Sequence, residues 1–122
     1  MEKSHFDYEP DLLTYEGKEI RICFDVEHAK EERIPAEGGE PVEVDVILAY
    51  CVRMLQPITR SRIIDAIVSA AYPNDVMQAV INNYLLEPDN PERIEQFNTM
   101  QAWRAEAKSV ATEVLSVIDS NK

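Results

Sequence analysis

Glycine is scarce in this chain, with three residues among 122. There is no glycine-rich loop to cradle a phosphate group. Cysteine is limited to Cys23 and Cys51, too few for a disulfide framework. Histidine is limited to His5 and His28, and tryptophan to Trp103. Positive charge is in deficit: 12 basic residues stand against 23 acidic ones, a formal net charge of -11. Affinity for a nucleic-acid backbone or an anionic membrane surface comes largely from cationic side chains, so neither partner is expected. No stretch approaches the roughly 18 apolar residues of a spanning helix. No cationic segment followed by an apolar run opens the chain. These absences predict a cytoplasmic protein with free thiols and no cofactor.

What is present is enough for one domain with its own core. Apolar residues make up 45% of the chain, which argues against disorder throughout. Residues 1–10 are polar and read as a poorly ordered tail, and residues 1–17 as a tail or short first strand containing Leu12, Leu13 and Tyr15. From Lys18 the hydrophobic period is two. Ile20, Ile22, Phe24 and Val26 share one face, with Arg21, Cys23, Asp25 and Glu27 on the other. The segment Pro35-Ala-Glu-Gly-Gly-Glu-Pro41 is a turn, and Val42, Val44, Val46, Leu48, Tyr50 and Val52 form the apolar face of a return strand. Residues 18–56 therefore read as an antiparallel hairpin.

Both apolar sets fall on even numbers, so facing residues are expected to have numbers that sum to an even value. A tight loop on Gly38-Gly39 gives an odd sum and requires a bulge. Of the even registers close to the loop, one pairs Arg33 with Glu43 but sets Glu31 against Asp45. The other pairs Arg33 with Asp45 and Asp25 with Arg53, and cross-strand charge favours it. Neither places Cys23 opposite Cys51.

After Pro57 the period lengthens. Thr59 caps a helix over 59–72 with Ile63, Ile64, Ile67, Val68 and Ala71 on one face. Asn74 or Asp75 caps a second, 74–87. Asn90, Pro91 and Glu92 open a third and longest helix, 91–119. Its apolar positions Met100, Trp103, Ala107, Val110, Val114 and Val117 recur at spacings of three and four, and Ala111, Leu115 and Ile118 widen the stripe. A wide stripe favours packing on a globular core; a dimer seam is the other reading. The fold class is α+β: a hairpin or three-stranded antiparallel sheet packed against three helices.

Chemistry is harder to find. His28 sits among Asp25, Glu27, Glu31 and Glu32, but successive strand residues diverge, so no metal site is expected. A Cys/His nucleophile is opposed by parity, since Cys23 and Cys51 are odd and His28 even. The serines at 61, 69, 109, 116 and 120 lie on helices or their ends, with no nucleophile elbow. Arg60 and Arg62 form the one local basic cluster and, with Arg53, are the candidate anion-binding residues. The odd face of the hairpin carries Cys23, Ile47, Ala49, Cys51 and Leu55. Either it is open for association, or Phe6, Tyr8, Leu12 and Leu13 fold over it. With Trp103, Val110 and Val117 of the last helix, these five are the candidate interface residues.

The segment Ala71-Tyr-Pro-Asn-Asp-Val-Met-Gln-Ala-Val-Ile-Asn-Asn, followed by Ala102-Trp-Arg-Ala-Glu-Ala-Lys, resembles small proteins encoded by phages and prophages of gut Bacteroides-type bacteria. The resemblance covers about the last 60 residues and implies a virion-assembly or tail-associated role, with no active-site residues to carry over. The expected function is thus a non-catalytic structural or protein-interaction protein, whose partner is a second copy or a phage structural protein. The competing expectation is a small-ligand or anion-binding module near Arg53, Arg60 and Arg62.

Overall fold

In the computed structural model, which describes residues 1–121, four antiparallel strands precede three helices. The strands are β1 (Ser4–Phe6), β2 (Leu13–Glu16), β3 (Glu19–Arg33) and β4 (Val42–Leu55). The helices are α1 (Arg60–Ala71), α2 (Asn74–Leu86) and α3 (Pro91–Ser120). The sheet order is β1-β4-β3-β2. The α+β class, the hairpin, and three helices with the last one long are as the hydrophobic periods predict. The tail is not: Ser4, His5 and Phe6 pair with Ala49, Leu48 and Ile47 as an edge strand.

Helix boundaries follow local chemistry. Thr59 accepts a hydrogen bond from the Arg62 N–H, and Asn90 from the Glu92 N–H, each satisfying an otherwise orphaned donor. Pro91 occupies the first turn of α3, where its missing N–H costs nothing. α2 departs from expectation. Its cap position is Pro73, with no side-chain cap, and Asn74 is already helical.

The core lies between the base of the sheet and helices α1 and α3. Ile20, Ile22, Phe24 and Val52 meet Ile63, Ile67, Val68, Ala107, Val110, Ala111 and Val114. Each fully buried aliphatic side chain contributes about 1.5–3 kcal/mol. Trp103 donates its indole N–H to the Ile67 carbonyl at 2.9 Å, fixing α3 against α1. Its ring meets Tyr50 edge-on at 5.0 Å and Phe24 at 5.8 Å. The wide stripe of α3 is thus spent on the monomer's own core. α2 buries no residue completely and meets α3 through stacked Tyr84 and Phe97 rings, 4.4 Å apart.

The register of the ribbon corrects the expectation. From Glu19↔Leu55 to Phe24↔Tyr50 the facing numbers share one even sum; from Glu27↔Leu48 to Arg33↔Val42 they share an odd one. The change occurs at a bulge between Phe24 and Glu27, where Asp25 adopts φ 54°. Two residues of β3 there oppose one of β4. Arg53 consequently faces Arg21, Asp45 faces Lys30, and Cys23 faces Cys51. Neither charge-based register survives, because one inserted residue changes the parity of everything beyond it. With Gly38 and Gly39 both at positive φ, the loop takes the odd-sum geometry that a bulge permits.

Four substitutions report on stability, each measured by chemical denaturation. Ile67→Ala removes a fully buried side chain and is expected to cost about 2–5 kcal/mol. Leu86→Ala, at an 80% exposed position, should change stability by about 0.5 kcal/mol or less. Asp25→Val places a β-branched residue in the left-handed region and should cost about 1–2 kcal/mol. Asp25→Asn, a residue that tolerates this region, should cost less.

Candidate functional site

β1 lies on the outer edge of β4 and β2 on the outer edge of β3. Residues 7–12, which join them, must therefore cross one face of the ribbon. They cross the face bearing the cysteines. The Arg21 guanidinium lies 5.9 Å from the Phe6 ring and reaches the Tyr8 hydroxyl at 3.5 Å. Pro10 is buried, and the Leu12 carbonyl accepts from the Cys23 N–H at 3.0 Å. Beneath this strap Ala49 is fully buried and Cys23 is 2% exposed. The odd face at the base of the ribbon is therefore covered from within the chain, chiefly by Phe6, Tyr8 and Pro10. Leu12 and Leu13 pack on the main core instead.

This accounts for most of the candidate interface residues. Cys23, Ala49 and Val110 are buried, while Cys51, Ile47 and Trp103 are half-buried against the chain's own side chains or strap. Leu55, the last residue of β4, and Val117, in the last turn of α3, remain exposed. The candidate anion-binding arginines do not converge. Arg60 donates to the Thr112 hydroxyl at 2.8 Å, Arg62 to the Leu55 carbonyl at 3.1 Å, and Arg53 to Glu16 at 3.2 Å. The last contact also offsets the like charge of Arg21 facing Arg53 across the strands.

What the structure does instead is seat each histidine against a glutamate, His5 on the helix-facing side of the ribbon and His28 on the cysteine-bearing side. His5, in β1, and His28, in β3, both line an open cavity of about 500 Å³ with Asp7, Lys30, Arg33, Asp45 and the apolar Phe6, Val44, Val46 and Ile47. His5 lies 2.8 Å from a Glu31 carboxylate oxygen, and His28 3.4 Å from one of Glu9. The hydrogen bond from His5, aided by its charge when protonated and by Arg33, holds the Glu31 carboxyl below the usual carboxylate range. Lys3 joins the same array, 3.4 Å from Asp25 and 3.3 Å from Glu27. The N-terminal segment is thus tied to the outer ribbon by charge. Its signal in the sequence was slight: Phe6 and Tyr8, two aromatic residues in an otherwise polar stretch.

The bulge also overturns the parity argument about His28. Beyond Asp25, His28 faces Ile47 and so lies on the same side of the ribbon as Cys51. Its imidazole nevertheless turns to Glu9, and Ala49 separates its facing residue Ile47 from Cys51 along β4. The two histidine–glutamate pairs resemble a base with its orienting acid, but among the described residues no serine, threonine, tyrosine or cysteine lines the cavity beside the histidines to serve as a nucleophile. Among the described residues, no group of three or more histidine, cysteine, aspartate or glutamate side chains could hold a metal ion. Among the described residues, no helix is long and apolar enough to cross a membrane.

The second unforeseen arrangement is Cys23 and Cys51, whose sulfur atoms are 2.6 Å apart as free thiols. Burial, together with the neighbouring Cys23 thiol, pushes the Cys51 thiol up to about 12, although Arg21 and Arg53 oppose the shift. The Cys51 thiol is therefore protonated at neutral pH. Another cavity, of about 480 Å³, is lined by residues that include Met1, Tyr50, Tyr72 and Trp103.

No protein-family profile, curated protein or solved structure matches the chain.

The His5–Glu31 contact makes a pH-dependent contribution of known sign. A carboxyl lowered in the folded state stabilises above its unfolded pKa, and that contribution fades as pH falls through the folded value. Both partners are partly solvated, so the effect is small. In an NMR titration, His5→Ala is expected to return the Glu31 carboxyl toward its ordinary value. Glu31→Gln should lower the melting temperature slightly at pH 6 and leave it unchanged near pH 2.

Proposed function

We propose that the chain is a non-catalytic protein-interaction protein that docks a basic partner along the outer half of the β3–β4 ribbon. The observation that carries this reading is an uncovered strand edge. β2 pairs with β3 only as far as Ile22, so among the described residues the β3 edge from Phe24 to Arg33 has no neighbouring strand. Unpaired backbone donors and acceptors of this kind accept an added strand. At the tip, Ile34 and Val42 are 69% and 47% exposed.

Charge favours a particular partner. Between Glu27 and Asp45 the ribbon carries seven acidic residues against two basic ones. A second copy of the same ribbon would be repelled, whereas a basic extended segment would be attracted and held in register. The resemblance to phage proteins makes a basic-surfaced virion or tail component the first natural partner to try.

The test uses a peptide of alternating lysine and valine and a variant in which residues 31–44 are replaced by Asn-Gly. The full chain should bind the peptide, more weakly as salt is raised, and with new hydrogen-exchange protection between residues 24 and 33. The shortened ribbon should lose at least about tenfold in affinity while keeping its far-UV spectrum. Equal binding by the shortened variant, or protection elsewhere, would overturn the reading.

A further inference from the structure

The two cysteines invite a separate conclusion, independent of what the ribbon binds. They occupy directly facing positions on neighbouring antiparallel strands. The N–H of Cys23 points away from β4, to the Leu12 carbonyl on the opposite side. Cys23 and Cys51 are therefore a non-hydrogen-bonded pair, the type in which facing Cα atoms approach to about 4.5 Å. That separation lies within the range a disulfide can span, and both side chains project to one face with their sulfurs already in contact at 2.6 Å. No strand has to move for a bond to form.

We infer that Cys23 and Cys51 are a site of reversible covalent modification, a cross-strand dithiol that a low-molecular-weight disulfide oxidises to an intramolecular disulfide. The surroundings assign the order of events. Cys51 is half-buried and Cys23 is 2% exposed, so Cys51 meets the reagent first. The Cys51 thiolate attacks one sulfur of the reagent and expels the other half as a thiolate, leaving a mixed disulfide. Cys23, as its thiolate, then attacks the Cys51 sulfur and expels the second half. Two protein thiols are oxidised to one disulfide, the reagent is reduced to two thiols, and the two protein protons end on those thiols.

The same geometry predicts slow entry. The raised Cys51 thiol keeps the reactive thiolate scarce at neutral pH, so the first step accelerates as pH rises. Arg21 and Arg53, facing each other one pair further along the same side, favour the thiolate and keep the site from being inert. The bond would close the ribbon immediately inside the bulge at Asp25, where the ladder is interrupted. It would also secure the strand that donates a hydrogen bond to the strap, from the Cys23 N–H to the Leu12 carbonyl.

The experiment equilibrates the intact chain with mixtures of oxidised and reduced glutathione at pH 8, quenches with acid, alkylates, and reads thiols by mass spectrometry. The expected product is a monomer that resists alkylation at both cysteines and yields a single Cys23–Cys51 linked peptide. It should melt on the order of 5 °C higher than the reduced form, and the difference should vanish on reduction and be absent in Cys51→Ala. The reduced and oxidised wild-type chains are compared directly, so the conclusion does not depend on a variant folding. Two fully alkylated cysteines under the most oxidising mixture, a stable mixed disulfide with glutathione at Cys51, or an intermolecular dimer would each overturn the inference.

Discussion

Much of this structure depends on one inserted residue. The bulge at Asp25 lets the inner ribbon keep its apolar side chains on the helices while the outer ribbon meets a loop that demands the opposite parity. Without it, either Gly38-Gly39 could not close the turn or Ile20, Ile22 and Phe24 would lose their match to Val52 and Tyr50. The cost is a non-glycine residue at positive φ, borne at a place where Lys3 can reach its carboxylate. Two consequences lie far from the turn itself. Cys23 is set opposite Cys51, and His28 is carried to the cysteine-bearing side.

A second constraint is topological. With β1 and β2 on opposite edges, residues 7–12 have to span the ribbon. The strap converts a half-apolar sheet face into a small second interior holding Cys23 and Ala49. It brings Arg21 under Tyr8 and Phe6, and it carries Glu9 to His28. The first core, between sheet and helices, supplies most of the hydrophobic stabilisation. The second supplies little area, but it gathers the polar and thiol groups of most chemical interest and leaves the outer ribbon as the part of the sheet with an open edge.

The periodicities of two in 18–56 and of three to four beyond Pro57 fixed the strands and helices, because burial on one face imposes its period on the sequence whatever the partner. The caps Thr59 and Asn90 were legible for a similarly local reason: a short polar side chain satisfies an amide two or three residues away. The wide stripe of α3, too, announced a globular core rather than a narrow seam. The N-terminal strand has no such signature, since three residues with one aromatic carry no measurable period.

The candidate site was less legible, and the reason is physical. The position of Cys23 relative to Cys51, the glutamate partners of His5 and His28, and the cover over the odd face are all relations between segments distant in sequence. They turn on a single bulge and a single crossing, neither of which has a strong local signature: Asp25 is one acidic residue among many. Sequence alone determined what this protein buries on its helices and where its chain turns, because those are set by local hydrophobicity and backbone preference. Only the tertiary structure decided which residues face one another, because register is a cooperative property of two strands and one inserted residue resets it.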